Sequence, residues 1–128
     1  MTADLAPIVL FAYNRPDHLR VALEGLRRDR LASQSKLFVF CDGPKPDATP
    51  EQRRRIAEVR DVVESEPWAG EVIVHKNPEN LGLATNVMRG VSEVINRFGR
   101  VIVLEDDLKV GEGFLTFMNR GLDAYADD

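Results

Sequence analysis

The chain has 128 residues, of which 44% are hydrophobic, and a formal net charge of −4; this length suits one globular domain with a single core. The acidic balance, with a pI near 5.2, argues against general binding to nucleic acid, because a polyanion meets no large positive field here. A single cysteine, Cys41, excludes an internal disulfide and a cysteine-based zinc site.

Targeting signals are not evident in the sequence. There is neither the basic start of a secretion signal nor a run of roughly 18 apolar residues that could span a membrane. We therefore expect a cytoplasmic protein without a membrane span, and a peripheral membrane association stays open.

The first half of the chain predicts two strand and helix pairs. An apolar run predicts a strand over about 7–13, and Pro16 then suits the first turn of a helix with leucines at helical spacing. A second strand over about 36–41 ends at Asp42. Thr49, followed by a proline and by Gln52, predicts a capping box at the start of the second helix.

The second half repeats this alternation. A third strand over about 71–76 leaves into the loop HKNPENLGLATN, where Gly82 indicates a tight turn. A third helix ending near Gly99 follows, with an apolar stripe formed by Val87, Val91, Val94, Ile95 and Phe98. The fourth strand, over about 100–105, precedes a last helix whose apolar residues are Phe114, Phe117, Met118, Leu122 and Tyr125.

Strands of about five residues alternating with helical patterns predict an α/β fold with a parallel sheet. We expect a Rossmann-like, three-layer α/β/α domain built on a four-stranded, mainly parallel sheet. Every predicted strand ends in polar residues, and the carboxyl ends of parallel strands meet at one edge of the sheet, which is where ligands bind in open α/β folds.

The most informative of these strand ends is VIVLEDDL, in which an aliphatic strand runs into Glu105, Asp106 and Asp107. Adjacent carboxylates within about 4 to 6 Å repel one another unless a cation or hydrogen-bond donors compensate them. Mg²⁺ or Mn²⁺ would accept such oxygens and keep positions open for substrate phosphates. A solvated acidic turn is the simpler alternative.

Other polar residues near the strand ends have two interpretations each. Asp42 could accept a hydrogen bond from a nucleobase or form a plain Asp-Gly turn. Arg15 could meet a base or a phosphate or be solvated, and Asn86 could approach a ribose or diphosphate or be a first-turn polar residue. We interpret His18 and His75 as residues that bind no metal, and Cys41 as a small buried hydrophobic residue rather than a nucleophile.

Four motifs in order resemble the GT-A glycosyltransferases, in particular glycosyltransferase family 2 and N-acetylglucosaminyltransferase I-like enzymes. They are PIVLFAYNRP, FVFCDG, NLGLATN and VIVLEDDL, followed by FLTFMNRGLDAY. The resemblance covers nearly the whole chain, and VIVLEDDL occupies the place of the DxD-type motif of that family.

This resemblance implies a donor site for a nucleoside-diphosphate sugar, with a UDP-sugar favoured. The backbone around Phe11 and Tyr13 would line the base pocket with Arg15 nearby, Asp42 would accept from the base, and Asn86 would lie near the ribose or diphosphate. The remaining roles fall on the acidic motif: Asp107 as the direct ligand of Mn²⁺ or Mg²⁺, Asp106 toward the ribose and the metal-bound waters, and Glu105 toward the donor sugar.

Members of the family usually continue beyond the DxD motif with a half that binds the acceptor and supplies the base. We therefore expect residues 1–128 to be one nucleotide-sugar-binding domain that ends before that half. The acceptor and the catalytic base stay unknown, since Asp123, Asp127 and Asp128 lie on or beyond the last helix. Apolar surface left uncovered by the missing half favours a homodimer.

Three other α/β families fit less well. A response-regulator receiver needs acids at the end of the first strand, where this chain has Tyr13, Asn14 and Arg15. A sugar-nucleotide pyrophosphorylase and a dinucleotide-binding Rossmann domain both need a glycine-rich loop after that strand, which is missing here. A non-catalytic nucleotide-sugar-binding or assembly module of the same fold remains an open alternative.

Overall fold

The computed structural model describes residues 5–105 and 114–125. In chain order the elements are β1 (Ile8–Ala12), α1 (Pro16–Arg28), a 3₁₀ turn (Ala32–Gln34), β2 (Lys36–Cys41), α2 (Pro50–Ser65), β3 (Glu71–Lys76), α3 (Leu83–Phe98), β4 (Ile102–Glu105) and α4 (Phe114–Tyr125). The predicted alternation is confirmed, and the strand ends differ from the expected ones by two residues at most.

The strands within these ranges form one parallel sheet in the order β3-β2-β1-β4. β1 lies between two strands and under helices on both faces, which is why all five residues of IVLFA are buried. Ala12 pairs with Cys41, and Phe11 pairs with Glu105. The carboxyl ends of β1, β2 and β4 are therefore level along one edge.

Two hydrophobic clusters divide the helices between the faces of the sheet. The larger cluster packs α1, α2 and α4 against one face, through residues such as Leu23, Val59 and Leu115. The smaller cluster packs α3 against the opposite face around Phe11 and Phe40. This is the expected three-layer arrangement, with β4 reached by α3 crossing the sheet from β3.

The starts and ends of the helices follow local signals in the sequence. The Thr49 Oγ1 atom accepts from Gln52 N at 3.1 Å and Gln52 Oε1 accepts from Thr49 N at 2.9 Å, as the predicted capping box requires. Gly99 ends α3 in the left-handed conformation with φ of 81°, which a glycine adopts without steric penalty.

Two expectations about helix faces were incomplete. Ile95, predicted in the buried stripe of α3, is 42% exposed, because the sheet contacts a narrower face of the helix than the pattern suggested. Leu115, which the pattern of the last helix left out, is fully buried.

Buried polar side chains attach α4 to the rest of the fold. The Asp29 carboxylate accepts a hydrogen bond from Leu115 N at 2.8 Å, which satisfies a first-turn amide that has no partner within its own helix. The Asn119 Oδ1 atom accepts from Ala6 N, also at 2.8 Å. The first contact ties α4 to the end of α1, and the second holds it beside the segment that precedes β1.

The chain order of the sheet reverses at β1, which has β2 on one side and β4 on the other. In open α/β sheets, ligands bind outside the carboxyl ends of the strands at such a reversal. Within the described ranges, no helix has both the length and the apolar character needed to cross a lipid bilayer.

Candidate functional site

A pocket of about 490 Å³ opens at the carboxyl end of β1, within the volume range of roughly 300 to 1,000 Å³ that small-molecule sites occupy. Its lining comes from β1, β4, the loops after β1, β2 and β3, and the start of α3. The lining residues are Phe11, Ala12, Tyr13, Asn14, Arg15, Asp42, Lys45, Asn80, Gly82, Leu83, Asn86, Val87 and Val103.

Five residues singled out from the sequence line this one pocket: Phe11, Tyr13, Arg15, Asp42 and Asn86. They come from three separate segments of the chain, and the level strand ends bring them together. Their roles toward a ligand stay predictions. The side chain of Glu105 and the whole of Asp106 and Asp107 lie outside the described residues.

Phe11, which lines the pocket, belongs to a row of stacked rings. The rings of Phe11 and Phe40 stack with centroids 5.6 Å apart, and Phe40 stacks in turn on His75 at 4.7 Å. α3 approaches these rings closely because Gly90 has no side chain: a Cβ at this position would lie 2.7 Å from Phe11 Cε1. The ring positions are therefore fixed by the packing of α3.

Asp42 is buried at 4% exposure, and its carboxylate accepts several hydrogen bonds from the chain itself. Oδ1 accepts from the backbone amides of Gly43 and Leu81, both at 2.9 Å, and more weakly from Asn77 Nδ2 at 3.3 Å. Oδ2 accepts from Asn80 Nδ2 at 3.2 Å and Gly82 N at 3.1 Å. An ionised carboxylate offers about four lone-pair sites, so these donors fill its capacity.

Asn86 is also held by the chain. Its Oδ1 accepts from Asn77 Nδ2 at 3.0 Å and its Nδ2 donates to Phe40 O at 3.3 Å. Arg60 on α2 completes the network behind the pocket, since its Nη2 donates to Asn77 O at 2.7 Å. The start of α3 is thus tied to β2 and to the loop that precedes it.

Two glycines let the loop before α3 adopt this path. Gly82 has φ of 84°, a conformation that other residues adopt only with strain, so the backbone requires glycine at this position. A Cβ on Gly43 would lie 2.5 Å from Asn77 O, so only glycine allows the two loops to approach this closely.

The rim of the pocket carries positive charge. Arg15 and Lys45 are both exposed and both line it, whereas Asp42, the carboxylate among the described lining residues, is occupied by hydrogen bonds. The first turn of α3 also contributes to the pocket through Gly82 and Leu83, and its amide donors favour an anion. This distribution suits a phosphorylated ligand.

The predicted metal ligands are not part of the described residues. Among residues 5–105 and 114–125, no group of three or more histidine, cysteine, aspartate or glutamate side chains could hold a metal ion. β4 nevertheless carries the chain to Glu105 opposite Phe11 of the pocket, and Asp106 and Asp107 follow directly in the sequence. Carboxylates that come directly after this strand in the sequence are suitable ligands for Mg²⁺ or Mn²⁺.

Sequence reasoning did not single out several lining residues. Lys45 stands in a turn-rich segment where a lysine is unremarkable, and Val87 and Val103 were interpreted as core residues. Asn80 had a detectable signal, because it belongs to the asparagine-rich loop before α3. What was missing was its partner, Asp42, 38 positions away.

Two further side chains of reactive type, Cys41 and His75, are not among the residues that line the pocket. Cys41 is completely buried, which confirms its interpretation as a small hydrophobic residue. Burial raises the pKa of its thiol to about 11, so the nucleophilic thiolate does not form at neutral pH. The imidazole of His75 stacks on Phe40 and lies 3.7 Å from the Glu93 carboxylate.

Comparison with known proteins agrees with this architecture. A family model described as glycosyl transferase family 2 matches residues 8–126. No curated protein matches the chain at a significant level. The matched range contains the four described strands and the pocket at their carboxyl ends, and the sheet is that of a Rossmann-like GT-A fold. The chain belongs to glycosyl transferase family 2.

Proposed function

We propose that this chain is the donor-binding domain of a metal-dependent glycosyltransferase that takes a nucleoside-diphosphate sugar, with a UDP-sugar favoured. One observation carries the proposal: five residues expected to contact the donor line a single pocket at the carboxyl edge of the sheet, in a chain of glycosyl transferase family 2.

The pocket has an apolar part and a charged part, which suits the two ends of a nucleoside diphosphate. The base lies against the backbone around Phe11 and Tyr13, where the Phe11 ring is held in place by its stack on Phe40. Arg15 and Lys45 neutralise the diphosphate from the rim. Asn86, at the start of α3, lies beside the ribose or the diphosphate.

The acidic motif after β4 holds the metal in this proposal. Asp107 is its direct ligand, Asp106 faces the ribose and the metal-bound waters, and Glu105 faces the donor sugar. Mn²⁺ or Mg²⁺ bound there supplies Lewis-acid stabilisation of the leaving nucleoside diphosphate. We assign neither the acceptor nor the base that deprotonates it to any residue of this chain.

The donor site is tested by titrating the chain with UDP in the presence of Mn²⁺ while following thermal unfolding. A ligand present at about 100 times its dissociation constant adds roughly 2.7 kcal/mol of stability. Arg15→Ala removes a cation from the pocket rim, and we expect it to weaken UDP binding by about tenfold, the effect of roughly 1.4 kcal/mol from one lost charged hydrogen bond.

Arg20→Ala is the matched control, because Arg20 is also an exposed arginine of this region but does not line the pocket. It should leave UDP affinity unchanged. Absence of stabilisation by any nucleoside diphosphate would contradict the proposed donor site, and equal effects of the two substitutions would remove Arg15 from it. A transfer assay with a UDP-sugar then separates an enzyme from a non-catalytic binding module.

A further inference from the structure

A second cavity, of about 340 Å³, lies between β3 and α3. β3 contributes His75 to its lining, and α3 contributes Arg89, Ser92 and Glu93. Among the described residues, it shares only Asn86 with the pocket at the carboxyl end of β1. The proposed donor site leaves this second cavity unused.

The β3 side of this cavity is held rigidly. The imidazole of His75 lies nearly parallel to the ring of Phe40, with 12° between the planes and 4.7 Å between the centroids. Its Nε2 atom is 3.7 Å from Glu93 Oε2, which is too long for a hydrogen bond. The Glu93 carboxylate therefore keeps its full capacity to accept hydrogen bonds from a ligand.

The α3 side carries one positive and one negative group. Arg89 and Glu93 lie one helical turn apart, a spacing at which opposite charges often pair. They form no ion pair with each other, and Arg89 makes no hydrogen bond or ion pair with any residue in the described ranges. The cavity thus presents a guanidinium and a carboxylate that are both available to a ligand.

The charges in this cavity balance, which disfavours a simple ion as its ligand. Glu93 repels a phosphate or a carboxylate, and Arg89 repels a metal ion or an amine. Arg89 donates hydrogen bonds, Glu93 accepts them, and the Ser92 hydroxyl does both. A neutral molecule with several hydroxyl groups satisfies all three side chains, because each hydroxyl both donates and accepts.

We infer that this cavity binds a neutral pyranose sugar, with neighbouring hydroxyl groups of the ring held by the Arg89 guanidinium and the Glu93 carboxylate. Both groups are planar and can form two parallel hydrogen bonds, which matches a pair of adjacent hydroxyls. The volume is at the lower end of the range for small-molecule sites, so it suits one ring rather than an oligosaccharide. The inference does not depend on the proposed donor function, because the sugar bound here carries no diphosphate.

The experiment titrates the ¹⁵N-labelled chain with the methyl glycosides of glucose, galactose, mannose and N-acetylglucosamine, to tens of millimolar, and follows the amide resonances by NMR. At least one glycoside should shift the amides of His75, Arg89 and Ser92 in a saturable way. Arg89→Ala and Glu93→Ala should each weaken that binding by about tenfold, the effect of a lost hydrogen bond to a charged group. Both side chains are exposed, so the variants should fold like the wild type.

Arg97→Ala is the matched control, because Arg97 is an exposed arginine of the same helix that does not line this cavity. It should leave the affinity for the glycoside unchanged. Inorganic phosphate, titrated in the same way, should not produce saturable shifts at these amides. Stronger binding of phosphate than of any glycoside would make this an anion site and overturn the assignment.

Absence of saturable shifts with all four glycosides overturns the inference, and so does binding that persists unchanged in both the Arg89 and Glu93 variants. Addition of UDP and Mn²⁺ should leave glycoside binding in place. Displacement of the glycoside by UDP would locate it in the pocket at the end of β1 and overturn the second site. A chain that binds the glycoside but no nucleoside diphosphate would contradict the donor function alone.

Discussion

Asp42 shows what can and what cannot be predicted at the scale of a single residue. Its position at a strand end was evident from the sequence, and so was a possible role in ligand binding. Its partners were not evident, because two of them are the backbone amides of Leu81 and Gly82, 39 and 40 positions away. Every residue except proline has such an amide, so only the fold identifies which ones meet the carboxylate.

The buried thiol of Cys41 gives a prediction about pH. Burial raises its pKa from 9.0 to about 11, so the folded chain keeps a proton that the unfolded chain loses. The stability associated with this group is fully present below about pH 9 and is lost as the pH rises toward 11. Within this window the loss approaches about 1.4 kcal/mol per pH unit.

Urea unfolding of the wild-type chain and of Cys41→Ala, at about pH 8 and about pH 10.5, measures this term. The alanine variant starts from a lower stability because it loses buried volume. Its stability should then fall less steeply with pH than that of the wild type. Parallel pH dependences for the two proteins would show that the thiol does not titrate differently in the folded state.

At the scale of elements, local signals determined where helices begin and end. Pro16, the Thr49 and Gln52 pair, and Gly99 all act within one turn of the helix that they start or stop, and for that reason they could be interpreted without the fold. The strand order could not be obtained in this way. The position of β4 beside β1 depends on α3 crossing the opposite face of the sheet.

The packing of α3 on the sheet depends on Gly90. A Cβ at this position would lie 2.7 Å from Phe11 and 2.9 Å from Phe40, and both rings are already packed. Alanine is a better helix former than glycine by up to about 1 kcal/mol. Even so, we expect Gly90→Ala to destabilise the chain by about 1 to 3 kcal/mol, since the helix must move away from the rings.

Gly121→Ala on α4 is the matched control, because a Cβ there meets no atom of the described residues within 4 Å. This substitution should be neutral or stabilising in the same denaturant titration. A Gly90→Ala variant as stable as the wild type would contradict the close contact between α3 and the rings of Phe11 and Phe40.

At the scale of the whole molecule, the alternation of strand and helix patterns was sufficient to predict the α/β class. The hydrophobic periodicity of each strand or helix is a property of its own segment and can be recognised without the fold. The site required the segments to be brought together. Five expected donor residues from three segments line one pocket, which the level carboxyl ends of the strands make possible.

Exposed apolar side chains are the feature of the structure that bears on the expected homodimer. Several large apolar side chains of α3 and β4 are exposed, among them Leu83 at 75%, Met88 at 69% and Val103 at 41%. Such a surface is compatible with association. Dimerisation itself stays a prediction.

The central claim is that a divalent metal held by the acidic motif secures a nucleoside diphosphate in this pocket. Calorimetric titration of UDP, with Mn²⁺ and with the metal chelated, tests it most directly in the wild-type chain, in Asp107→Asn, and in Asp47→Asn as a control on an exposed turn. We predict that chelation and Asp107→Asn each weaken UDP binding by at least about tenfold, roughly 1.4 kcal/mol, while Asp47→Asn binds as the wild type does. Equal UDP affinity with and without metal, or an Asp107→Asn variant that binds UDP and Mn²⁺ like the wild type, would contradict the account.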